Sequence, residues 1–494
     1  MSQRYAPDRH KLIDVPHRKV GDPEGIMHYK PDTPLNVAFH EVLPLPADLT
    51  HRIKRVMSWE DLPALEKGER TALITLNGEL DNLGYGPLAA IALKGVGVRG
   101  GDDLCVPPLT STPYFQSHGP GGAPLMRTDP RFSYEGELYA DIVPPDPIGG
   151  SYSATARHEA ELYQAVRELK IPTVVPLGWG EYQNRPSFGQ PTGALVYALP
   201  KGNYVRSAEL YFERDKPLVG ATPAMRESLE TSGENPENAT AQWKLLSHIE
   251  VTRGATLRAL HDGGLYGFQL HPGNLSIDLA DRDKFLLHDM ENGLYLEDAP
   301  DFAQAFLMAN DLATTLHGMI LNIARLFMHR PENFGLPKEM SALENPLAAQ
   351  LAGYFKVNPS QLPKELLAYA EFLFTEVMTL STQAASDQEL NLVLNNHAVI
   401  NFNNVRTAVT KMLLNMNTTK KSEESKSFEA YKLMGTHYEV LRANLNNMLV
   451  RLFMNDKQSR ATYFKLLEQI VDPAQHQAVS MELSRMAHVP KSLT

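Results

Sequence analysis

Short β-like runs crowd the first half of the chain, and helical periodicity takes over in the second. Thr71 to Leu76, Leu88 to Lys94, Thr173 to Trp179 and Ala194 to Leu199 are apolar, β-prone stretches, each bounded by Gly, Pro or Asn. A helix is expected from about Ser153 to Lys170, where Leu162, Ala165, Val166 and Leu169 share one face. Another is expected from about Ala239 to His261, closed by Gly263-Gly264. Beyond Pro300 the pattern is almost entirely helical. Phe428, Tyr431, Tyr438, Leu441, Leu445, Met448 and Leu452 form a long amphipathic stripe there, after a charged linker from Lys420 to Ser427. The Gly/Pro-rich stretch 100–150 reads as a long loop, and the polar stretch 213–242 as another. No internal repeat is visible. The order predicts an α+β protein, β-rich first and helical second.

Composition narrows the function. The 494 residues are 43% hydrophobic and 21% charged, enough for a core of ordinary size. A net charge of −11 argues against a general nucleic-acid or membrane-surface binder, both of which need basic patches. The single cysteine, Cys105, builds neither an intramolecular disulfide nor a multi-cysteine zinc site. Residues Met1 to Tyr5 carry no apolar run, and no stretch reaches the ~18 apolar residues of a membrane span. The expected compartment is the cytoplasm.

The chemistry concentrates in two segments. Leu270-His271-Pro272-Gly273-Asn274 follows a helix and a Gly-Gly turn, and Asp289 comes directly after the apolar run ending Leu286-Leu287-His288. An Asn on a tight loop and an Asp at a strand end can converge on one Mg²⁺ or Mn²⁺, because a nucleotide-bound hard cation needs only one or two oxygen ligands from protein. Protein kinases hold metal against ATP with such a pair. Upstream, Lys94 ends an apolar run and Glu159 sits in the following helix. In kinases a strand Lys neutralises nucleotide phosphate and is oriented by a helix Glu. These pairs predict a two-lobed protein-kinase-like fold. It comprises an irregular N-terminal wrap (1–60), a β-rich N-lobe (61–205) containing the 100–150 loop, and a large helical C-lobe (206–494) bearing the catalytic and metal loops.

One position breaks the kinase pattern. Where a kinase places the Asp that accepts the substrate proton, this chain has Gln269, and an amide is no base near neutral pH. His271, in the same loop, is a candidate substitute because His titrates near pH 7.

Several patches resemble the selenoprotein O family, kinase-like proteins that transfer AMP rather than phosphate to hydroxyl side chains. They are IALKGVG (91–97), RHEAELYQAVRELKIPT (157–173), TGALVYAL (192–199) with YVR (204–206), GNLSI (273–277) and HDMENGLYLED (288–298). EKGERTA (66–72) is similar to the family's glycine loop. The resemblance implies that Lys94 and Glu159 are the nucleotide pair, and that Gly68, Arg70, Gly95, Gly97, Gly149 and Arg206 lie at the nucleotide. It also implies that Asn274 and Asp289 hold Mg²⁺ or Mn²⁺. ATP is then the donor substrate, and the partner is a hydroxyl-bearing acceptor, in that family a protein. The family's base, an Asp before the metal Asn, is Gly273 here; its first phosphate Arg falls near Ala198, and the Asp before its phosphate-loop Gly at Ile148. Two other readings stay open: a non-catalytic nucleotide-binding scaffold, and a small-molecule phosphotransferase of the aminoglycoside or choline kinase type.

Overall fold

The computed structural model describes residues 17–412, apart from 22–24, 66–69, 100–103, 109–126, 133–137, 144–146, 148, 188–189, 213–220, 268–269, 299–300, 329–343 and scattered positions after 381. Gly68, Ile148, Gln269, the linker 420–427 and the stripe from Phe428 to Leu452 therefore lie outside the described residues. The described chain divides into two compact units, one β-rich and one mainly helical, in the order expected of an α+β protein.

The β-rich unit takes the described residues up to Glu161 together with Val175–Lys201. Its strands are β1 (His17–Gly21), β2 (Met27–Pro31), β3 (Val37–Glu41), β4 (Thr71–Thr75), β5 (Leu88–Lys94), β6 (Val98–Arg99), β7 (Leu104–Val106), β8 (Arg127–Phe132), β9 (Leu138–Val143), β10 (Ser151–Tyr152), β11 (Val175–Ser187) and β12 (Gln190–Pro200). Helix α1 spans Ala47–Met57, and α2 spans Ser153–Glu168. The central sheet is antiparallel in the order β3-β11-β12-β5-β4, with β10 added to β12. Helix α1 buries Leu49, Ile53 and Met57, four residues apart and so on one face. They share a core with Trp59, Ile91, Leu93, Val175, Leu177 and Val196.

Two expectations fail in this unit. The described residues from 17 to 60 are not an irregular wrap, since β1, β2, β3 and α1 fall there. These strands are short and rich in His, Lys and Arg, so they lack the apolar alternation that marks a half-buried strand. Nor is 100–150 one long loop. β7 lies between β2 and β6 in a second sheet ordered β1-β2-β7-β6, and β8 and β9 form a hairpin. Pro130 within β8 is the kind of residue that hides an edge strand from sequence reading.

The helical unit takes Leu162–Val174 and the chain from Gly202 onward. It holds β13 (Tyr204–Arg206), α3 (Pro223–Thr231), α4 (Ala239–Asp262), β14 (Leu265–Tyr266), β15 (Leu275–Asp278), β16 (Asp281–Leu287), β17 (Leu294–Tyr295), α5 (Asp301–Met328), α6 (Pro346–Phe355) and α7 (Lys364–Ser381). The stretch 213–242 is not all loop, because α3 lies inside it. Thr222 caps that helix by accepting from the Met225 N–H, and Pro223 stands at its first turn. Asn238 caps α4 in the same way, and Gly263 ends it. Helices α4 and α6 pack closely, with Gly254 facing the Gln350 carbonyl and Gly353 facing the Val251 carbonyl; a methyl group at either would collide. No helix among the described residues is long and apolar enough to cross a membrane.

Candidate functional site

In the β-rich unit, β5 delivers Lys94 between Thr71 of β4 and Leu195 of β12. Its ammonium lies 2.9 and 3.2 Å from the two carboxylate oxygens of Glu159 on α2. Lys94 is 6% exposed and Glu159 1%. Buried Ala156 and Ala160 fix the helix face that presents Glu159. A charged pair this enclosed is held in one geometry, since each partner would be costly to strand alone.

The turn after Lys94 is built from close backbone contacts. Gly97 N–H donates to the Gly149 carbonyl at 2.7 Å, and Gly95 N–H donates to the Arg70 carbonyl at 2.8 Å. Gly95, Gly97 and Gly149 all have positive φ, and a Cβ on Gly149 would lie within 3 Å of the Gly97–Val98 backbone. Arg70 donates from its guanidinium to the Gly150 carbonyl at 2.9 Å, and the Trp59 indole N–H donates to the Val96 carbonyl at 2.6 Å. Lys94, Arg70, Gly95, Gly97 and Gly149 therefore gather in one place. The glycines have a packing reason to be there: two backbone turns touch where no side chain fits.

In the helical unit, β13 and the β15–β16 hairpin carry a second constellation. Asn274 N–H donates to the His271 carbonyl at 2.9 Å, and the Asn274 carbonyl accepts from His288 N–H at 3.0 Å. The second bond brings the Asn274 loop beside Asp289. Asp289 adopts φ 52°, a left-handed conformation uncommon outside glycine. Such backbone costs concentrate at functional sites. Arg206 donates to the Gly273 carbonyl at 2.5 Å and stands 3.8 Å from the Asp289 carboxylate. Arg206, His271, Asn274 and Asp289 thus form one cluster. Asn274 and Asp289 offer two hard oxygen donors, the set that suits a cation arriving with a nucleotide. No cluster of three or more His, Cys, Asp or Glu side chains able to hold a metal by itself occurs among the described residues.

His271 does not fit the role of a base. Its Nδ1 accepts the Gly273 N–H at 3.0 Å, so in the neutral ring the hydrogen sits on Nε2, which then donates. Burial, reinforced by the Arg253 charge, pushes its pKa down to about 4, with Asp289 opposing and Arg206 adding to the shift. At neutral pH the ring is an uncharged donor.

Sequence reading missed Asp311 of α5. Buried at 2% exposure, it accepts the Gly267 N–H at 2.7 Å and lies 3.3 Å from His261 Nε2, whose Nδ1 meets the Tyr354 hydroxyl at 2.8 Å. The available signal was a carboxylate set in an otherwise apolar helical run.

No protein-family model matches the chain, and no curated protein matches it. Among solved structures, it is similar to WaaP in complex with acyl carrier protein, at 14% identity over 51% of this chain and 89% of that one, with a TM-score of 0.27. It is also similar to a Toxoplasma gondii specific rhoptry antigen kinase domain, at 11% identity over 74% and 96% of the two chains (TM-score 0.21). A rhoptry kinase from Toxoplasma gondii gives 12% identity over 59% and 82% (TM-score 0.20). All three are remote likenesses, and the resemblance to selenoprotein O gains nothing from them.

Proposed function

We propose that this protein is an ATP-dependent transferase that moves AMP onto a hydroxyl acceptor, in the first instance a protein side chain. The observation that carries the reading is the enclosed Lys94–Glu159 pair at the end of β5. A lysine held this way is set to neutralise phosphate, as in kinases. Asn274 and Asp289 are the residues that hold Mg²⁺ or Mn²⁺ in this reading, and such an ion lowers the cost of charge on phosphate oxygens. Arg206 adds a cation beside Asp289. In the transfer, the acceptor oxygen bonds to the α-phosphorus and the α–β bridging bond breaks. Pyrophosphate leaves with the electron pair, and the hydroxyl proton passes to solvent. The choice of AMP over phosphate rests on the sequence patches shared with selenoprotein O and on the amide at Gln269 in place of the kinase base. Electrostatic stabilisation of the leaving group then carries most of the rate.

A second reading, nucleotide binding without transfer, is favoured by His271, whose one acceptor nitrogen, Nδ1, is already taken by the Gly273 N–H. Incubation with Mn²⁺ and ATP labelled on either the α or the γ phosphate separates the two. Retention of the α label alone supports AMP transfer. Retention of the γ label refutes it in favour of phosphotransfer, and binding without retention supports the second reading.

A further inference from the structure

The ion pair Glu250–Arg253 on α4 is fully enclosed. Buried ion pairs are seldom worth more to stability than apolar side chains of the same size, so their partners are informative. The Arg253 guanidinium binds both Glu250 oxygens, at 2.7 and 3.1 Å. It also donates to the Leu270 carbonyl at 3.0 Å and to Ser207 Oγ at 2.7 Å. Ser207 Oγ passes the contact on, donating to the Pro272 carbonyl at 2.9 Å, which also takes the Ala208 N–H. Tyr211 O–H completes Glu250 at 2.7 Å. The His271 carbonyl takes Asn274 N–H and the Gly273 carbonyl takes Arg206. Every carbonyl from residue 270 to 273 thus has a donor, two of them supplied directly or through Ser207 by one guanidinium.

We infer that Arg253, acting partly through Ser207, is a positioning residue that presets the Leu270–Asn274 loop so that Asn274 meets its ligand without rearrangement. The consequence for ligand binding rests on the metal reading of Asn274 given above; the presetting of the loop does not. Its alternative is a purely structural role inside the helical unit.

Two variants decide between them. Ser207→Ala removes one bridge and leaves the ion pair intact. Glu250→Met with Arg253→Met removes both charges together, so no lone charge is left enclosed. Hydrogen–deuterium exchange without nucleotide is followed across residues 206–208 and 270–276 and, as reference, across α4 and α6. Mn²⁺ affinity in the presence of ATP is read by electron paramagnetic resonance. Ser207→Ala is expected to speed exchange in the two loop segments about tenfold, the scale of one lost hydrogen bond, with the helices unchanged. It is also expected to weaken Mn²⁺ binding several-fold. Ser207→Thr, which keeps the hydroxyl, restores both, and the double variant exceeds Ser207→Ala. Loop exchange that stays at the wild-type rate, or that rises only in step with α4 and α6, overturns the inference. Should the double variant not fold, Ser207→Ala and its threonine rescue carry the decision. Failure of the wild-type protein to bind Mn²⁺ with ATP removes the metal reading instead, and the exchange result still judges Arg253.

Discussion

Two ion pairs stand where nucleotide chemistry is expected, and they are built in opposite ways. Lys94 and Glu159 meet at 2.9 Å with both side chains nearly sealed from solvent. Arg206 and Asp289 stand 3.8 Å apart, with side chains 39% and 42% exposed. The first is finished: its geometry is fixed before any ligand arrives. The second is open: its charges are screened by water and cheap to redirect toward a phosphate or a cation.

The largest expected effect tests that contrast through stability. Glu159→Gln removes the carboxylate that neutralises an enclosed ammonium and should cost about 3–5 kcal/mol. Asp289→Asn should cost under about 1 kcal/mol, because the pair is exposed and Asn tolerates the left-handed backbone as well as Asp does. Urea unfolding of the two variants reads the difference directly; equal losses would erase the distinction between a sealed and an open pair.

That contrast was only half legible in the sequence. The run Leu88–Lys94 was readable to its last residue because Pro87 and Gly95 bracket an unbroken apolar stretch. The end of α4 was readable from Gly263-Gly264. The strands before residue 42 were not, since pairing rather than apolar alternation defines them. Helix α3 was hidden by polar composition, although Thr222-Pro223 is a start signal in plain view. For the site, a resemblance suggested that Lys94 and Glu159 belong together; nothing in the spacing of 65 positions states a distance or a degree of burial. The links from Arg253 to Ser207 and Leu270 are tertiary and leave no periodic trace at all.

The next effect is a pH dependence, and it comes from buried groups of the helical unit rather than from the open pair. His271 and His317 are both in the helical unit, and burial pushes each pKa down to about 4. Between pH 4 and the unfolded value near 6.5 the unfolded chain binds more protons than the folded one, so stability rises with pH across that window and falls on acidification through it. Each histidine contributes up to roughly 3 kcal/mol. His317→Gln should flatten the curve of unfolding free energy against pH between 4 and 6.5. An unchanged slope would mean that the ring is protonated in the fold.

The third prediction follows the open pair under ligand. Mn²⁺ with ATP, at a hundredfold excess over its dissociation constant, should stabilise the wild-type protein by about 2.7 kcal/mol. Asp289→Asn should lose most of that gain while unfolding normally without ligand. A gain that survives the substitution would move the cation away from Asp289.

The smallest effect compares two residues that share a backbone conformation. Lys170 has φ 60° and follows α2, its N–H bonded to the Arg167 carbonyl. Asp289 has φ 52° and follows β16. A left-handed residue just past a helix is a common stop signal that glycine fills best. Lys170→Gly should therefore stabilise the protein by about 0.5–1 kcal/mol, since relief of the left-handed backbone outweighs the extra freedom glycine gives the unfolded chain. Its Mn²⁺ affinity should not move. Asp289→Gly should relieve the same backbone cost and lose the cation. If both glycine variants behave alike in metal binding, the left-handed turn at Asp289 is only another chain reversal. If they part, the cost of that turn is kept because a carboxylate has to point where no relaxed backbone would send it.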